Sequence, residues 1–542
     1  MKQKIILLLI IAIAIFLRFF QLNVNPPSLT WDETAWGYNA YALGIDGKDE
    51  FGRFLPHDYL ESFGDFKPPM YAYLDIIPVK IFGLNTFSVR FPSAFFGVAT
   101  VLMTYFLTKS IFYNSKNKKY YALAASLFLA VSPWHIMLSR AAFEANIATF
   151  FIVTGVFFFL NAMQSIKNKQ VFWYLVLSFL SLVASVYTFN TSRVVAPLLA
   201  LALITIFHKK ILKVKKQFIL ASIVGFLFLL PTIPFLLSPQ ARLRFQEVNI
   251  FSDSSVIKTS NQEIANDRNT WWSKVIHNRR FAYSVEFLKH YFDNLSPDFL
   301  FIKGDGNPKF STQDVGEMYL WDLPFFVAGI IFLFRKKEGY WWIIPLWLVL
   351  GIIPAATARE TPHALRIETT LPTFQIFVAM GFVEIVLLLK KSRKIVLSVL
   401  WIILFLNILY FQLGYYTHYT YEYSHEWQYG YSQSIAYVSS VKNSYDEIHV
   451  TEALGRPYIY YLFYTKTEPN IFRQDAKIQR DPFGFVDVTG FGKYIFQKQM
   501  HAVNNGKRIL YINIASDVPD HANILKTFPL KNGEQNLVAY TL

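Results

Sequence analysis

The chain has 542 residues, of which 53% are hydrophobic and 16% charged, and its mean hydropathy is +0.29. This composition lies outside the range of soluble globular proteins and indicates a polytopic membrane protein. The formal net charge is +15, but the basic residues fall in short clusters between apolar segments, which argues against a nucleic-acid-binding patch. The chain contains no cysteine, which excludes disulfides and thiolate metal sites.

Apolar segments long enough to cross a bilayer follow one another along most of the chain. The first begins after Lys2 and Lys4 and lacks a small-residue cleavage site, so it is predicted to be an uncleaved anchor. The sequence predicts about eleven transmembrane helices, at 5–22, 89–112, 120–138, 147–163, 171–187, 194–207, 217–237, 319–334, 340–356, 367–389 and 395–414.

Alternate loops between these segments are strongly basic, and the positive-inside rule places such loops in the cytoplasm. We therefore expect a cytoplasmic N-terminus, with the first loop (23–88), the long loop (238–318) and the C-terminal segment outside. The basic loops carry Lys116, Lys118, Lys119; Lys167, Lys169; Lys209, Lys210, Lys213, Lys215, Lys216; Arg335, Lys336, Lys337; and Lys390, Lys391, Arg393, Lys394.

The composition becomes that of a soluble domain after Gly414. Residues 447–451 and 508–514 have the β-branched and apolar pattern of strands, and 457–464 has a helical pattern. We predict a transmembrane domain at 1–414 and an extracytoplasmic α/β domain at 415–542.

Ionisable residues are concentrated in the short outer loops and are almost absent from the middles of the predicted helices. The first outer loop opens with Trp31-Asp32-Glu33 and closes with Gly64-Asp65-Phe66-Lys67-Pro68-Pro69; later outer loops add Arg140 with Glu144, and His363 with Arg366. Several cations and a few carboxylates on one membrane face suit an anionic lipid head group beside a carboxylate that accepts a proton.

This pattern suggests a transferase that uses a lipid-linked sugar, because nucleotide sugars are not normally available outside the membrane. Attack by an acceptor hydroxyl needs a base on one side of the anomeric carbon and cations near the departing phosphate. Asp32 is the candidate base, and the candidates for the phosphate are Lys67, Arg140, His363 and Arg366. Glu33, Asp65 and Glu144 are candidates for orienting these groups or contacting sugar and acceptor. One carboxylate would invert the anomeric centre, and Glu33 as a nucleophile would retain it.

Each signal has a structural alternative. Asp32 and Glu33 could cap the helix that begins near Thr34, Lys67 could reach the membrane interface, and Arg140 and Glu144 could form an intrahelical pair. The Asp305 turn at 303–308 lacks the acidic spacing of a calcium loop and is predicted to be structural.

Trp31-Asp32-Glu33, Asp65-x-Lys67-Pro68-Pro69-x-Tyr71, the Ser139-Arg140 pair with Glu144, and His363-Ala-Leu-Arg366 together resemble the GT-C superfamily of membrane glycosyltransferases. The most similar branch is the dolichyl-phosphate-mannose-protein mannosyltransferase and aminoarabinose-transferase group. The resemblance implies transfer from a polyprenyl-phosphate donor outside the membrane, with Asp32 as the base and Lys67 and Arg140 at the lipid phosphate. The 238–318 loop is too short for the β-trefoil domain of the protein mannosyltransferases, so the acceptor stays open between a cell-envelope lipid, a glycan and a protein.

A divalent ion at His57, Asp58 and Glu61 with His363 has no metal-ligand spacing to support it, so we expect transfer without metal or other cofactor, with Mg²⁺ or Mn²⁺ as the alternative. The rival function is a lipid-linked-sugar flippase or a non-catalytic binding protein. The predicted helices offer such a flippase no polar route across the bilayer.

Overall fold

The computed structural model describes residues 2–63, 65–241, 248–389, 393–480, 485–501 and 506–542. Gly64 of the first outer loop, Lys390, Lys391 and the side chain of Arg393 lie outside the described residues. The described helices in chain order are α1 Lys2–Phe19, α2 Trp31–Asp46, α3 Met70–Phe82, α4 Thr86–Ile111, α5 Lys118–Val131, α6 Pro133–Arg140, α7 Glu144–Gln164, α8 Asn168–Val186, α9 Ser192–Lys213, α10 Lys215–Leu229, α11 Ile233–Leu236, α12 Ser254–Asn266, α13 Trp271–Ile276, α14 Arg279–Asp293, α15 Asp322–Lys336, α16 Ile343–Ala356, α17 Ala364–Ile367, α18 Thr373–Leu388, α19 Arg393–Leu413, α20 Tyr419–Glu422, α21 Tyr431–Val441, α22 Pro457–Thr465 and α23 Pro469–Asp475. The strands are β1 Leu60–Ser62, β2 Asp65–Lys67, β3 Glu447–Thr451, β4 Lys477–Arg480, β5 Val486–Phe491, β6 Tyr494–Gln497, β7 Ile509–Ile514, β8 Asn523–Pro529 and β9 Gln535–Thr541.

The apolar helices make this a multi-pass membrane protein. Among the described residues, 6 helices are long and apolar enough to cross a bilayer, and up to 8 if each bent helix pair is one span. The predicted count of about eleven stays a prediction, because α15 and α16 have only 15 and 14 residues and a span usually needs about 20. Proline starts the second helix of one bent pair at Pro133 and precedes it at Pro372 in the other, since proline cannot donate the backbone bond that would continue a helix.

The chain packs as two compact units. The first comprises Met1–Arg18, Phe95–Ser139 and Glu144–Phe411, and the second comprises Phe19–Ala94, Arg140–Phe143 and Gln412–Leu542. The C-terminal segment therefore belongs to the same unit as the first outer loop. The predicted domain limits at 414 and 415 stay a prediction.

In the first unit, α15 and α18 pack at the close distance that only glycine permits. A Cβ atom on Gly329 would overlap the carbonyl oxygen of Phe377, and one on Gly381 would overlap that of Phe325. Small residues at such crossings let helix backbones approach in the apolar environment, where dispersion contacts and not water exclusion hold helices together.

In the second unit, the C-terminal segment forms a seven-stranded mixed sheet in the order β4-β5-β6-β3-β7-β9-β8. The central strand β3 runs parallel to both β6 and β7, and the outer pairs are antiparallel. The predicted C-terminal α/β fold is confirmed, including the strand at 447–451 and the helix that begins at Pro457.

The same unit ties this sheet to the first outer loop through two ion pairs. Arg473 binds Asp46 at 2.5 Å and also donates to the carbonyl oxygen of Asp49 at 2.8 Å. Arg480 binds Glu61 at 2.6 Å. These contacts hold the loop that carries the predicted catalytic residues on the α/β segment.

Candidate functional site

Helix α2 begins with the acidic pair, and its start is fixed by a capping box. The Thr30 hydroxyl accepts the Glu33 backbone N–H at 3.2 Å, and the Glu33 carboxylate accepts the Thr30 backbone N–H at 2.9 Å. This reciprocal bonding satisfies two N–H groups that a helix start leaves open. Asp32 takes no part in the box, so its carboxylate is available for another role.

Asp32 pairs with Lys67. The Lys67 ammonium binds the Asp32 carboxylate across 35 positions of sequence, from the last residue of the β1–β2 hairpin. The Lys67 side chain is only 8% exposed, whereas that of Asp32 is 47% exposed. The Lys67 side chain is thus buried in the protein, while the Asp32 side chain is accessible from outside.

Two aromatic rings line the Lys67 ammonium. Its nitrogen lies 4.9 Å from the centre of the Phe63 ring and 5.3 Å from that of Trp36. Aromatic faces stabilise a cation without neutralising it. The Lys67 ammonium therefore lies in a partly desolvated position, where a positive charge acts strongly on a neighbouring anion.

Glu33 is fully buried and bonded on both carboxylate oxygens. Its Oε1 accepts from Arg90 Nε at 2.8 Å and from the Ala142 backbone N–H at 3.0 Å, and its Oε2 accepts from Thr30. Arg90 also donates to the carbonyl oxygens of Pro26 and Ser28, at 2.8 and 2.5 Å. Glu33 therefore joins the helix start, α4 and the 140–143 segment.

Arg140 lies in that same segment and is completely buried. Its Nη2 donates to the carbonyl oxygen of Asn25 at 2.8 Å, and its guanidinium lies 5.5 and 5.3 Å from the ring centres of Tyr415 and Tyr416. The backbone N–H of Ala142, two positions after Arg140, donates to Glu33, so the segment that carries Arg140 is bonded to the acidic pair.

Asp65 begins β2, and its Oδ1 accepts the Phe66 backbone N–H at 2.9 Å.

The other predicted site residues, Glu144, His363 and Arg366, lie in the first unit. Glu144 is half-buried at the start of α7, and Arg366 donates to the Glu360 carbonyl oxygen at 2.9 Å. Burial, with the Arg366 charge nearby, lowers the pKa of His363 to about 3. His363 is thus a neutral imidazole at ordinary pH and offers a hydrogen bond to a phosphate, not a charge.

The Asp305 turn has a structural role in the same unit. Its Oδ2 accepts the Ala364 backbone N–H at 2.7 Å, and its Oδ1 accepts that of Asn307 at 2.8 Å. Burial raises the pKa of Asp305 to about 6. The hydrogen bond from Ala364 lets Asp305 anchor the segment that carries His363. The Asp305 turn is thus structural, as the sequence predicts.

No group of three or more His, Asp or Glu side chains placed to hold a metal ion occurs in the part of the chain that the structure describes. Metal-independent transfer stays a prediction.

Known proteins share this sequence pattern and this architecture. Residues 8–246 match the family described as dolichyl-phosphate-mannose-protein mannosyltransferase. The solved structure of ArnT from Cupriavidus metallidurans in the apo state is similar over 98% of this chain and 97% of that one, with a TM-score of 0.55 and 10% sequence identity. This chain has the fold of ArnT. The structure of ArnT bound to undecaprenyl phosphate is also similar to this chain, with a TM-score of 0.52, 11% identity, and 98% and 97% of the two chains covered.

A curated relative is known only as an uncharacterized protein of Aquifex aeolicus (strain VF5). It is 30% identical over 175 residues, and the match covers 32% of this chain and 32% of the relative. This chain thus matches about a third of the relative's length. The similarities establish the fold.

Two buried side chains of this chain are missing from the set of predicted site residues. In the sequence Arg90 is one of several cations in the outer loops. Because it lies 57 positions from Glu33, no sequence pattern indicates that the two residues pair. Glu50 is completely buried in the first outer loop, with the carboxylate of Asp49 and the side-chain amide of Asn39 nearby. Burial and the neighbouring Asp49 raise the pKa of Glu50 to about 8. No local motif marks either residue.

Proposed function

We propose that this protein transfers a sugar, a hexose or a modified pentose, from a polyprenyl-phosphate donor to a hydroxyl group of a cell-envelope lipid, glycan or protein. The Asp32–Lys67 pair carries the proposal, because it sets an accessible carboxylate against a buried, aromatic-lined cation. The GT-C fold, the family match and the undecaprenyl phosphate bound by ArnT support a donor of this class. The reaction takes place on the outer face of the membrane, with the N-terminus in the cytoplasm.

Lys67 prepares the site for an anionic donor. In the free protein its ammonium is bound to Asp32, and an entering phosphate competes for the same three N–H donors. Once Lys67 turns to the phosphate, the Asp32 carboxylate loses its strongest partner and becomes a better proton acceptor. Donor binding thus activates the base. Arg140 is the second candidate for the phosphate, from the segment that is bonded to Glu33.

The transfer is a single displacement. The acceptor hydroxyl gives its proton to Asp32 while its oxygen forms a bond to the anomeric carbon. The bond from that carbon to the phosphate oxygen breaks, and the electron pair leaves with the polyprenyl phosphate, whose growing charge Lys67 stabilises. Both oxygens of Glu33 are already engaged, which favours one working carboxylate and therefore inversion of the anomeric centre.

Asp32→Asn tests the proposal, and Asp46→Asn is its matched control. Asp46 lies at the other end of α2 and also pairs with a cation, Arg473. In lipid nanodiscs supplied with a panel of polyprenyl-phosphate hexoses and pentoses and with a cell-envelope extract as the source of acceptor hydroxyls, Asp32→Asn should lower turnover by about 10²–10⁴-fold, the contribution of a general base. Donor affinity should stay within a few-fold. Turnover that survives Asp32→Asn would remove Asp32 as the base, and flipping of the donor without its cleavage would favour the flippase.

A further inference from the structure

The C-terminal sheet has the topology that creates a ligand crevice in open α/β sheets. Strand β3 lies between β6 and β7 and is parallel to both. After β3 the chain first builds the β6 side and only later adds β7 on the other side. Ligands in open sheets bind outside the carboxyl ends of the strands at such a switch point.

A cavity of about 380 Å³ opens near that point. It is lined by Glu452, which follows β3, by Arg456 and Tyr458 at the start of α22, by Asp487 of β5, and by Lys498, which follows β6. This volume falls within the roughly 300–1,000 Å³ of small-molecule sites. All of the lining belongs to the second unit.

The lining carries as many carboxylates as cations. Glu452 and Asp487 face the same cavity as Arg456 and Lys498. Burial is the main cause that raises the pKa of Glu452 above its ordinary value, and the negative charge of the neighbouring Asp487 raises it further. A strongly anionic ligand such as a phosphate would meet both acids and lose much of what the cations contribute.

Neutral polyhydroxylated ligands fit this lining better. Carboxylates accept hydrogen bonds from hydroxyl groups, and Arg and Lys donate to hydroxyl oxygens. Tyr458 also lines the cavity, although its ring packs against Phe63 and Phe472 and its hydroxyl is buried. A sugar hydroxyl can donate to the carboxylates of this lining and accept from its cations.

The cavity also adjoins the Asp32–Lys67 site within the second unit. Gly455, beside Arg456, has a φ of +79° and lies so close to Trp31 that a Cβ atom would be 3.0 Å from the indole ring. The Arg456 guanidinium lies 5.6 Å from the centre of the Phe63 ring, the same ring that lies 4.9 Å from the Lys67 ammonium. One aromatic side chain therefore separates the cations of the two sites.

We propose that this cavity is a carbohydrate-binding site that holds an uncharged sugar unit of the acceptor, which makes the acceptor a glycan. The assignment of the ligand as acceptor rests on the proposed function; the binding of a neutral saccharide does not. A sugar held at Arg456 and Tyr458 presents the rest of a glycan toward Phe63 and Lys67.

Binding is measured on the full-length protein in nanodiscs by saturation-transfer NMR. The probes are unphosphorylated mannotriose, maltotriose and chitotriose, with inorganic phosphate as the anionic comparison. At least one trisaccharide should bind in the millimolar range or more tightly, and Asp487→Asn and Glu452→Gln should each weaken binding at least about tenfold. Asp520→Asn, an exposed aspartate of the same segment that does not line the cavity, should change nothing.

The charge argument has its own readout: the Asp487→Asn and Glu452→Gln double variant should bind phosphate more tightly than the wild type does. The inference is overturned if no trisaccharide binds the wild type at about 10 mM, or if binding survives both single variants. Asp32→Asn separates the two proposals, because it should keep trisaccharide binding while losing turnover. Unchanged turnover in Asp32→Asn refutes the proposed mechanism and leaves the carbohydrate site standing.

Discussion

Neutralising the two adjacent acids at the start of α2, Asp32 and Glu33, should destabilise the protein to very different extents. Glu33 is buried, and its two oxygens accept from Thr30, Arg90 and Ala142. Glu33→Gln would replace one accepting oxygen by an NH₂ group that faces N–H donors, and it would leave the Arg90 guanidinium buried without a counter-charge. Asp32→Asn disturbs only a pair whose acidic partner is 47% exposed.

The expected magnitudes differ by several-fold. Removing one partner of a buried ion pair costs about 3–5 kcal/mol. We therefore expect Glu33→Gln to lower the free energy of unfolding by about 4 kcal/mol, which corresponds to a fall of roughly 10 °C in the thermal midpoint for a unit of this size. Asp32→Asn should cost no more than about 1 kcal/mol.

Thermal unfolding of both variants in the same nanodiscs, followed by tryptophan fluorescence, measures the difference. A double variant with Arg90→Gln and Glu33→Gln provides the control. It removes both charges and should be less destabilised than the two single variants added together. Equal thermal midpoints for Glu33→Gln and Asp32→Asn would refute the claim that Glu33 has a structural role and Asp32 does not.

Three further predictions follow from other contacts. Lys67→Ala should lower turnover by about 10²–10³-fold and weaken donor binding in the nanodisc assay, whereas Lys48→Ala, at an exposed lysine of the same loop, should change neither. The pKa of Glu50 is raised to about 8, so the folded state binds more protons than the unfolded state above pH 4.5 and the free energy of unfolding should fall as the pH rises toward 8. In Glu50→Gln the thermal midpoint should depend less on pH over this range. A pH dependence equal to that of the wild type would contradict the raised pKa. Gly329→Ala should destabilise the α15–α18 contact and lower the thermal midpoint, and a midpoint equal to that of the wild type would show that the helices separate without cost.

Local sequence signals predicted the pieces of the site that are set by short-range chemistry. The acids fall at the start of α2 because Thr30 and Glu33 are a capping-box pair. Lys67 lies just before Pro68 and Pro69, which end the hairpin and precede α3. Both features can be found from spacing alone, and the Asp32–Lys67 contact confirms that the two ends of the first loop meet.

Long-range packing was beyond the reach of the sequence. Arg90 pairs with Glu33 across 57 positions, and Arg473 reaches Asp46 across 427. Charge patterns show that such residues exist but do not specify partners. Local patterns likewise do not indicate that the C-terminal segment packs in one compact unit with the first outer loop.

The most direct measurement of the central claim is the release of free polyprenyl phosphate by the purified wild-type protein in the presence of a cell-envelope extract that supplies the acceptor hydroxyl, followed by chromatography over a panel of polyprenyl-phosphate sugars. At least one donor should be consumed with release of the lipid phosphate, and Asp32→Asn should abolish that release while its thermal midpoint stays within a few degrees of the wild type. Release at the wild-type rate from a folded Asp32→Asn protein, or no release from any donor by the wild type, would contradict sugar transfer at this site.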